Sequence, residues 1–128
     1  MKVIYFEDDP ASTMVMKQML LTAGAKMEGA SSAQRGFALL AQQRFDLVLM
    51  DLRMPEMNGL TALRQLRARE GGDTRLPVVI VSAELTAGTR ELCQGAGADA
   101  FIEKPIVMEK LFHIVGAAMA GAANSQFL

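Results

Sequence analysis

The chain has 128 residues, of which 51% are hydrophobic and 21% charged, and its formal net charge is −1. That length is enough to bury one hydrophobic core and too short for two. The near-neutral charge gives no general attraction to nucleic acid or anionic lipid, so we expect no direct binding to DNA or to a membrane surface.

The first predicted element is a short apolar run, residues 3–6, followed at once by Glu7, Asp8 and Asp9. Acids so close to the N-terminus do not fit the layout of a secretory signal peptide. No apolar run approaches the roughly 20 residues that a membrane span needs. We therefore expect a cytoplasmic protein without a membrane segment.

Four further apolar runs predict buried β-strands. They are residues 27–30, where Glu28 and Gly29 interrupt the run, and residues 47–50, 78–81 and 100–102. Runs that are apolar at nearly every position are typical of strands covered on both faces.

Helical patterns lie between these runs, and the first three have capping or stop residues. Gly24 follows the first stripe, Ser31 and Ser32 precede the second, and Gly71 and Gly72 follow the third. The three apolar stripes are Val15, Met16, Met19, Leu20 and Ala23; Ala33, Phe37, Leu40 and Ala41; and Leu60, Leu63 and Leu66.

The last two predicted helices differ in quality. Residues 85–95 make the poorer one, because Gly88 and Thr89 lie inside it and an interior glycine costs about 1 kcal/mol relative to alanine. The single cysteine, Cys93, has no disulfide or zinc-binding partner and is interpreted as a core side chain. The final helix starts after Pro105 and leaves His113 in solvent. Its inward residues are predicted to be Leu111, Ile114, Val115 and Ala118.

Five βα units in succession predict one α/β domain. Its parallel five-stranded sheet should carry helices on both faces and have right-handed crossovers. We place the domain at residues 1–120 and a C-terminal tail at residues 121–128, in a segment rich in Ala and Gly. The tail is either a frayed helix end or the start of a linker.

The chemically suggestive residues all stand where a predicted strand ends: Glu7 and Asp8 after the first, Asp51 after the third, Ser82 after the fourth and Lys104 after the fifth. The carboxyl ends of parallel strands share one edge of the sheet, which is where ligands bind in such folds. Asp51 on its own could equally cap the next helix or open a turn.

Clustered carboxylates are unfavourable unless a cation or a proton relieves them. Oxygen donors with room for water suit Mg²⁺ better than zinc or copper. Lys104 would add a positive charge and Ser82 a hydroxyl donor. Together with a cation, these groups could cradle a phosphoryl group.

Four motifs stand at these strand ends: FEDDP, DLRMPEMNG, VIVSA and FIEKP. With them, residues 2–119 closely resemble the receiver domain of bacterial two-component response regulators, the chemotaxis CheY class. The resemblance implies a flavodoxin-like (βα)5 fold with strand order 2-1-3-4-5.

The resemblance also implies a role for each matching residue. Asp51 would accept a phosphoryl group from a histidine kinase, with Mg²⁺ as cofactor. The metal ligands would be Glu7, Asp8, Asp51 and the backbone carbonyl of Arg53. The phosphoryl-binding and switch residues would be Ser82, Ala83, Phe101 and Lys104, and the bond before Pro105 would be cis.

Three of these positions depart from the commonest pattern. Glu7 stands where aspartate is usual and is expected to reach Mg²⁺ through water. Ser82 replaces threonine and keeps the hydroxyl. Phe101 replaces tyrosine, so its ring can pack inward but cannot donate a hydrogen bond.

The expected partners follow from the same resemblance. They are a sensor histidine kinase or a phosphotransfer protein, and a downstream protein that binds the face made by the fourth helix, fifth strand and fifth helix. A homodimer on phosphorylation is possible. The domain would act as a signalling switch that catalyses only its own phosphorylation and dephosphorylation.

Arg53 and Glu84 each lie two residues beyond a predicted site residue. Opposite charges there could pair across the mouth of the cleft and obstruct the water that attacks an acyl phosphate. We therefore predict that Arg53 and Glu84 tune the lifetime of the phosphorylated form.

Several alternatives are weaker. An aspartate-nucleophile phosphatase of the haloacid dehalogenase type needs a second Asp two residues after the nucleophile, where this chain has Arg53. A Rossmann-type nucleotide binder would need GxGxxG after the first strand. A receiver that works without phosphorylation, or one cut from a larger regulator, stays open.

Overall fold

A computed structural model describes residues 1–54, 56–70 and 75–119 of the chain. Pro55, Gly71, Gly72, the Ala118 side chain and residues 120–128 lie outside the described residues. These residues include the predicted turn at Pro55, the predicted end of the third helix at Gly71 and Gly72, the predicted inward side chain of Ala118 and the predicted C-terminal tail.

Strands and helices alternate five times along the described chain. The five parallel strands form one sheet in the order β2-β1-β3-β4-β5, which confirms the predicted flavodoxin-like topology. The elements are β1 Lys2–Phe6, α1 Pro10–Thr22, β2 Lys26–Ala30, α2 Ala33–Gln42, β3 Leu47–Asp51, α3 Gly59–Arg69, β4 Val78–Ser82, α4 Ala87–Ala96, β5 Ala100–Glu103 and α5 Met108–Met119.

The sheet carries a hydrophobic core on each face, because successive strand side chains point to opposite sides. Helices α1 and α5 cover one face, where Tyr5 of β1 and Leu49 of β3 lie in the core. Helices α2, α3 and α4 cover the other, where Phe6 of β1 and Met50 of β3 lie. Burial on both faces explains why β1, β3, β4 and β5 appear in the sequence as continuous apolar runs. The prediction of a buried strand at residues 27–30 is only partly right, because β2 is an outer strand of the sheet and exposes Glu28 and Gly29.

Side chains cap the helices where the sequence supplies suitable residues. Ser32 is the N-cap of α2, and its hydroxyl accepts from the Arg35 N–H at 3.2 Å, which confirms the predicted cap. Gly24 follows α1 with a φ of 83°, a left-handed conformation that favours glycine and confirms the predicted stop.

Three details of the helix predictions are wrong. Val15 is 54% exposed and Ala41 is exposed, so neither belongs to a core-facing stripe. Successive residues of a helix point about 100° apart. Only part of each apolar stripe therefore faces the sheet, and Val15 and Ala41 lie outside that part. Helix α4 begins at Ala87 after the N-cap Thr86, so Gly88 lies in its first turn and not in its interior.

Candidate functional site

Asp51 is the last residue of β3 and is 5% exposed. The chain after it turns back closely on the strand end. A Cβ at Gly59, the first residue of α3, would lie 2.4 Å from the Asp51 carbonyl oxygen. Only a glycine at position 59 therefore allows this approach. The close approach of Gly59 thus fixes the backbone at the end of β3, from which the Asp51 side chain extends.

Both oxygens of the Asp51 carboxylate accept hydrogen bonds. Oδ1 accepts from the Arg53 backbone N–H at 2.8 Å, and Oδ2 accepts from Lys104 Nζ at 2.6 Å. The bond to Lys104 joins residues 53 positions apart in the sequence. The convergence predicted from the strand ends is therefore present for Asp51 and Lys104.

Lys104 follows β5, and its backbone N–H donates to the Ser82 carbonyl at 2.9 Å, next to the end of β4. The Lys104–Pro105 peptide bond is cis. Nζ of Lys104 also donates to Glu7 Oε1 at 2.7 Å. One ammonium group thus bridges two carboxylates, and we call Glu7, Asp51 and Lys104 the acid–lysine site.

Glu7 is buried directly after β1. Its Oε1 accepts a second bond, from the Tyr5 hydroxyl at 3.1 Å, and its Oε2 accepts from the Asp9 N–H at 3.3 Å. Sequence reasoning did not identify Tyr5. The available signal was its position two residues before Glu7, because residues i and i+2 of a strand share a face.

The electrostatics of this cluster are strongly coupled. Burial and the neighbouring Asp51 raise the pKa of Glu7 above its usual value, although Lys104 acts in the opposite direction. Burial alone would lower the pKa of Lys104, but bonds to Asp51 and Glu7 outweigh it and raise that pKa. Burial, then the charge of Glu7, raises the pKa of Tyr5, so its hydroxyl stays protonated as a donor.

The donor set of this strand edge fits Mg²⁺. With both acids ionised, two carboxylates face one ammonium, which leaves an uncompensated negative charge among oxygen donors. Within the described ranges, no three His, Cys, Asp or Glu side chains gather closely enough to hold a metal on side chains alone. Mg²⁺ usually takes one or two carboxylates and keeps several waters, so it does not need such a group.

The other acids of FEDDP lie outside the acid–lysine site. Asp8 is exposed at the strand edge. Asp9 is the N-cap of α1, where its carboxylate accepts from the Ser12 hydroxyl at 2.8 Å and the Ala11 N–H at 3.3 Å. These two bonds, Ser12 first, lower the pKa of Asp9. Asp9 therefore has a structural role.

Ser82 is the last residue of β4 and is buried near the site, while Ala83 is exposed in the next loop. The Ser82 hydroxyl oxygen accepts from the Glu84 N–H at 3.1 Å. This bond uses a lone pair of the oxygen, so the hydroxyl proton can be donated elsewhere. Among the described side chains, the Ser82 hydroxyl makes no hydrogen bond to Glu7, Asp51 or Lys104.

Phe101, the predicted switch aromatic, is 7% exposed and belongs to the core on the α4 face. The guanidinium of Arg90 in α4 lies 5.2 Å from the centre of its ring. The ring is thus inward in this state and covered by a cation, a contact that the sequence did not suggest.

Arg53 and Glu84 form the ion pair that was predicted at the mouth of the cleft. Both side chains are largely exposed, at 76% and 65%. The pairing prediction is confirmed, whereas its effect on a phosphorylated state stays a prediction. Two other predictions agree with the structure: Cys93 is buried in α4, and His113 is exposed in α5.

The sequence is similar to that of proteins of one family. The family model described as response regulator receiver domain matches residues 3–116. A relative from Xanthomonas campestris, the sensory/regulatory protein RpfC, is 38% identical over 112 residues, which are 87% of this chain. The chain spans 15% of that relative's length, so the similarity concerns one part of it.

Solved structures give the same result. The receiver domain of the sensor histidine kinase PA1611 from Pseudomonas aeruginosa, solved with magnesium in its active site cleft, has a TM-score of 0.82 and 29% identity. The match covers 93% of this chain and 97% of that one. The chemotaxis protein CheY4 from Vibrio cholerae has a TM-score of 0.84 at 22% identity, covering 91% and 97%, and supports the fold alone. Among the described residues, no helix has the length and apolar character needed to span a membrane.

Proposed function

The chain belongs to the response regulator receiver domain family, and on that premise we propose that it is a phosphorylation-controlled switch with Asp51 as the phosphoacceptor. The receiver domains of sensor kinases are among its homologues. The observation that carries the proposal is the buried Asp51 carboxylate, held by Lys104 and beside a second acid.

Asp51 supplies the nucleophile in this proposal. A carboxylate oxygen attacks phosphorus, the bond from phosphorus to the donor's nitrogen or oxygen breaks, and its electron pair leaves with the donor. Such transfers depend mainly on positioning and electrostatics. The Arg53 N–H and Lys104 Nζ fix the carboxylate on both oxygens, which holds it in place before the donor arrives.

We propose that Mg²⁺ is the cofactor, held by Asp8, Asp51 and the Arg53 backbone carbonyl, with Glu7 acting through water. When bound, the ion would offset negative charge on the phosphoryl oxygens. Lys104 neutralises part of the carboxylate charge, and because its Nζ lies 2.6 Å from Asp51 Oδ2 it would also stand close to an oxygen of phosphorylated Asp51. The magnesium in the PA1611 receiver supports this assignment.

The proposed phosphoryl donor is a sensor histidine kinase or a phosphotransfer protein. The similarity to the receiver domain of the sensor histidine kinase PA1611 supports that class of partner. A cytoplasmic location and a homodimer formed on phosphorylation belong to the same proposal. Whether the domain acts alone or within a larger regulator does not change the chemistry at Asp51.

Phosphorylation would be transmitted through Ser82. Its hydroxyl proton can turn to a phosphoryl oxygen, with Ala83 beside it at the phosphoryl-binding loop. Phe101 would adjust with Ser82, and because Arg90 lies over its ring, α4 would follow. The face made of α4, β5 and α5 would then bind the downstream partner. Each ligand shifts such an equilibrium only by its differential affinity for the two states.

The proposal is tested by incubating the chain with acetyl phosphate and Mg²⁺ and measuring incorporated phosphate. Wild type should be labelled, while Asp51→Asn and a chelated sample should not. The matched control is Asp46→Asn, an exposed acid at the opposite edge of the sheet, which should label like wild type. Undiminished labelling of Asp51→Asn would falsify the assignment.

A further inference from the structure

Tyr5 is a buried polar residue that the phosphoryl-transfer chemistry leaves unexplained. Its ring lies in the core between the sheet and helices α1 and α5, with 0% exposure. Its hydroxyl reaches the end of β1 and donates to Glu7 Oε1 at 3.1 Å. A phenol has a single proton to donate, so this donor is directed to one atom of the acid–lysine site.

The geometry of the strand brings the two side chains together. Tyr5 and Glu7 are two residues apart in an extended chain and so share one face. The Tyr5 ring is fixed by the surrounding core and has two side-chain torsions, whereas Glu7 has three. The rigid side chain therefore restrains the flexible one.

The two oxygens of Glu7 have different environments. Oε1 accepts from both Tyr5 and Lys104, at 3.1 and 2.7 Å. Oε2 accepts one longer bond, from the Asp9 N–H at 3.3 Å. The two donors on Oε1 and the Asp9 N–H on Oε2 together fix the carboxylate, and Oε2, with one longer bond, keeps a lone pair for water around a cation.

We propose that Tyr5 is a positioning residue of the acid–lysine site, whose buried hydroxyl orients Glu7 for the cation and compensates for the extra methylene that glutamate has over aspartate. The inference rests on the proposed function, because it assigns Glu7 to the water shell of Mg²⁺. Tyr5 touches neither the cation nor Asp51 in this role. It acts through Glu7.

The chain offers a direct spectroscopic test, since Tyr5 is its single tyrosine and it has no tryptophan. Tyrosine emission therefore reports on Tyr5, and a carboxylate acceptor on a phenol quenches that emission. Glu7→Asp withdraws the carboxylate by one methylene, so emission should rise. Glu28→Asp, the same change at an exposed acid of β2, should leave it unchanged. Equal emission of wild type and Glu7→Asp would overturn the proposal.

Magnesium affinity, measured by calorimetry on the full chain, tests the functional part. Tyr5→Phe keeps the ring and removes the hydroxyl, and it should weaken Mg²⁺ binding about threefold. That is less than the roughly tenfold cost of removing the hydrogen-bond partner of a direct ligand, because Glu7 reaches the ion through water. In a Glu7→Asp background the same substitution should have no effect, because the shorter acid does not use the hydroxyl. A purely structural role would give equal effects in both backgrounds, and that result would refute positioning, as would no effect in either.

The two proposals fail differently. If wild type binds Mg²⁺ but takes no label from acetyl phosphate, the phosphoacceptor assignment fails, and the four calorimetric affinities still decide the role of Tyr5. If labelling depends on Asp51 and Mg²⁺ but the affinities of wild type and Tyr5→Phe agree, the phosphoacceptor assignment stands and the positioning role is wrong.

Discussion

Lys104 is the residue through which the charges of the site are coupled. Its ammonium donates to Asp51 at 2.6 Å and to Glu7 at 2.7 Å. Two ionised carboxylates that close together repel each other unless a cation lies between them. Lys104 therefore allows both acids to be buried at one sheet edge before any metal arrives.

The exposed ion pair between Arg53 and Glu84 yields the first prediction. Arg53→Ala, alone or with a Glu84 substitution, should speed spontaneous loss of phosphate several-fold, because water gains access to the acyl phosphate. Stability should hardly change, since an exposed pair contributes little. The measurement is the decay of labelled protein at fixed Mg²⁺.

Arg44→Ala is the matched control, because Arg44 is an exposed arginine before β3, at the opposite edge of the sheet. It should leave the decay rate unchanged. If Arg53→Ala and the double substitution also decay like wild type, Arg53 and Glu84 are ordinary surface charges.

Cys93 yields the second prediction. The side chain is 1% exposed, and burial raises the pKa of its thiol, while the charge of Arg64 acts in the opposite direction. A raised pKa means less thiolate at neutral pH, and the thiolate is the reactive form. Native protein should therefore react slowly with iodoacetamide, and denaturant should restore the rate of an ordinary cysteine. Equal rates in both conditions would contradict this burial.

At the residue scale, the sequence was enough to identify the charged and hydroxyl groups of the site, but not the residue that orients Glu7. Asp51 and Lys104 stood out because each follows a predicted strand. Tyr5 did not stand out, because an aromatic residue in a buried strand is normally a core packing residue. Only the measured 3.1 Å contact with Glu7 separates it from a packing residue.

The elements around Asp51 are held by close backbone approach, as the junction between β3 and α3 shows. The Gly59 N–H donates to the Leu52 carbonyl at 2.9 Å, and the Asn58 side chain caps α3 by accepting from the Thr61 N–H. Asp51 is thus fixed from both its strand and the following helix.

Gly59→Ala should therefore destabilise the domain, because the new Cβ meets backbone at 2.4 Å, where nothing can move away. Overpacking of this kind costs roughly 1–3 kcal/mol. Gly95→Ala is the control, since that α4 glycine has nothing within 4 Å of an added Cβ, and it should be neutral or stabilise by about 0.5–1 kcal/mol. Thermal unfolding of both variants measures the difference. A Gly59→Ala protein as stable as Gly95→Ala would contradict the close approach.

At the element scale, burial pattern determined what could be predicted. Four strands were identifiable because both of their faces are covered, whereas β2, an outer strand with Glu28 and Gly29 exposed, gave the weaker run. The inward faces of the helices were harder to identify than the strands. Val15 and Ala41 each continue an apolar run, but both are exposed beside the residues that pack on the sheet. The start of α4 was placed too early because Leu85 is apolar, whereas the Thr86 cap decides where the helix begins.

At the scale of the molecule, topology creates the site. The parallel sheet brings the carboxyl ends of β1, β3 and β5 together. Glu7, Asp51 and Lys104 therefore meet there, although Glu7 and Lys104 are 97 positions apart in the sequence. The opposite edge is held by a second network, in which Arg67 donates to the Gly97 carbonyl at 2.7 Å and to Asp99 at 3.1 Å. That network joins α3 to the start of β5, and no sequence motif indicated it.

The proposed switch should extend from Ser82 to the face of α4, β5 and α5. Beryllofluoride, which mimics the phosphoryl group, should therefore change amide NMR shifts across residues 82–104 in the presence of Mg²⁺. We expect the Ser82 hydroxyl to donate to the bound mimic. The contact between Arg90 and Phe101 would then transmit the change to α4. Asp51→Asn is the control and should show no such changes. Shifts confined to the loops around Glu7 and Asp51 would contradict a transmitted switch.

The central claim is that Asp51 forms the acyl phosphate, and chemical trapping tests it most directly. Protein incubated with acetyl phosphate and Mg²⁺ is reduced with borohydride, which converts a phosphorylated aspartate to homoserine, and the peptides are sequenced by mass spectrometry. We predict homoserine at position 51, absent when the metal is chelated. Homoserine at another aspartate, or an unmodified residue 51 in labelled protein, would contradict the account.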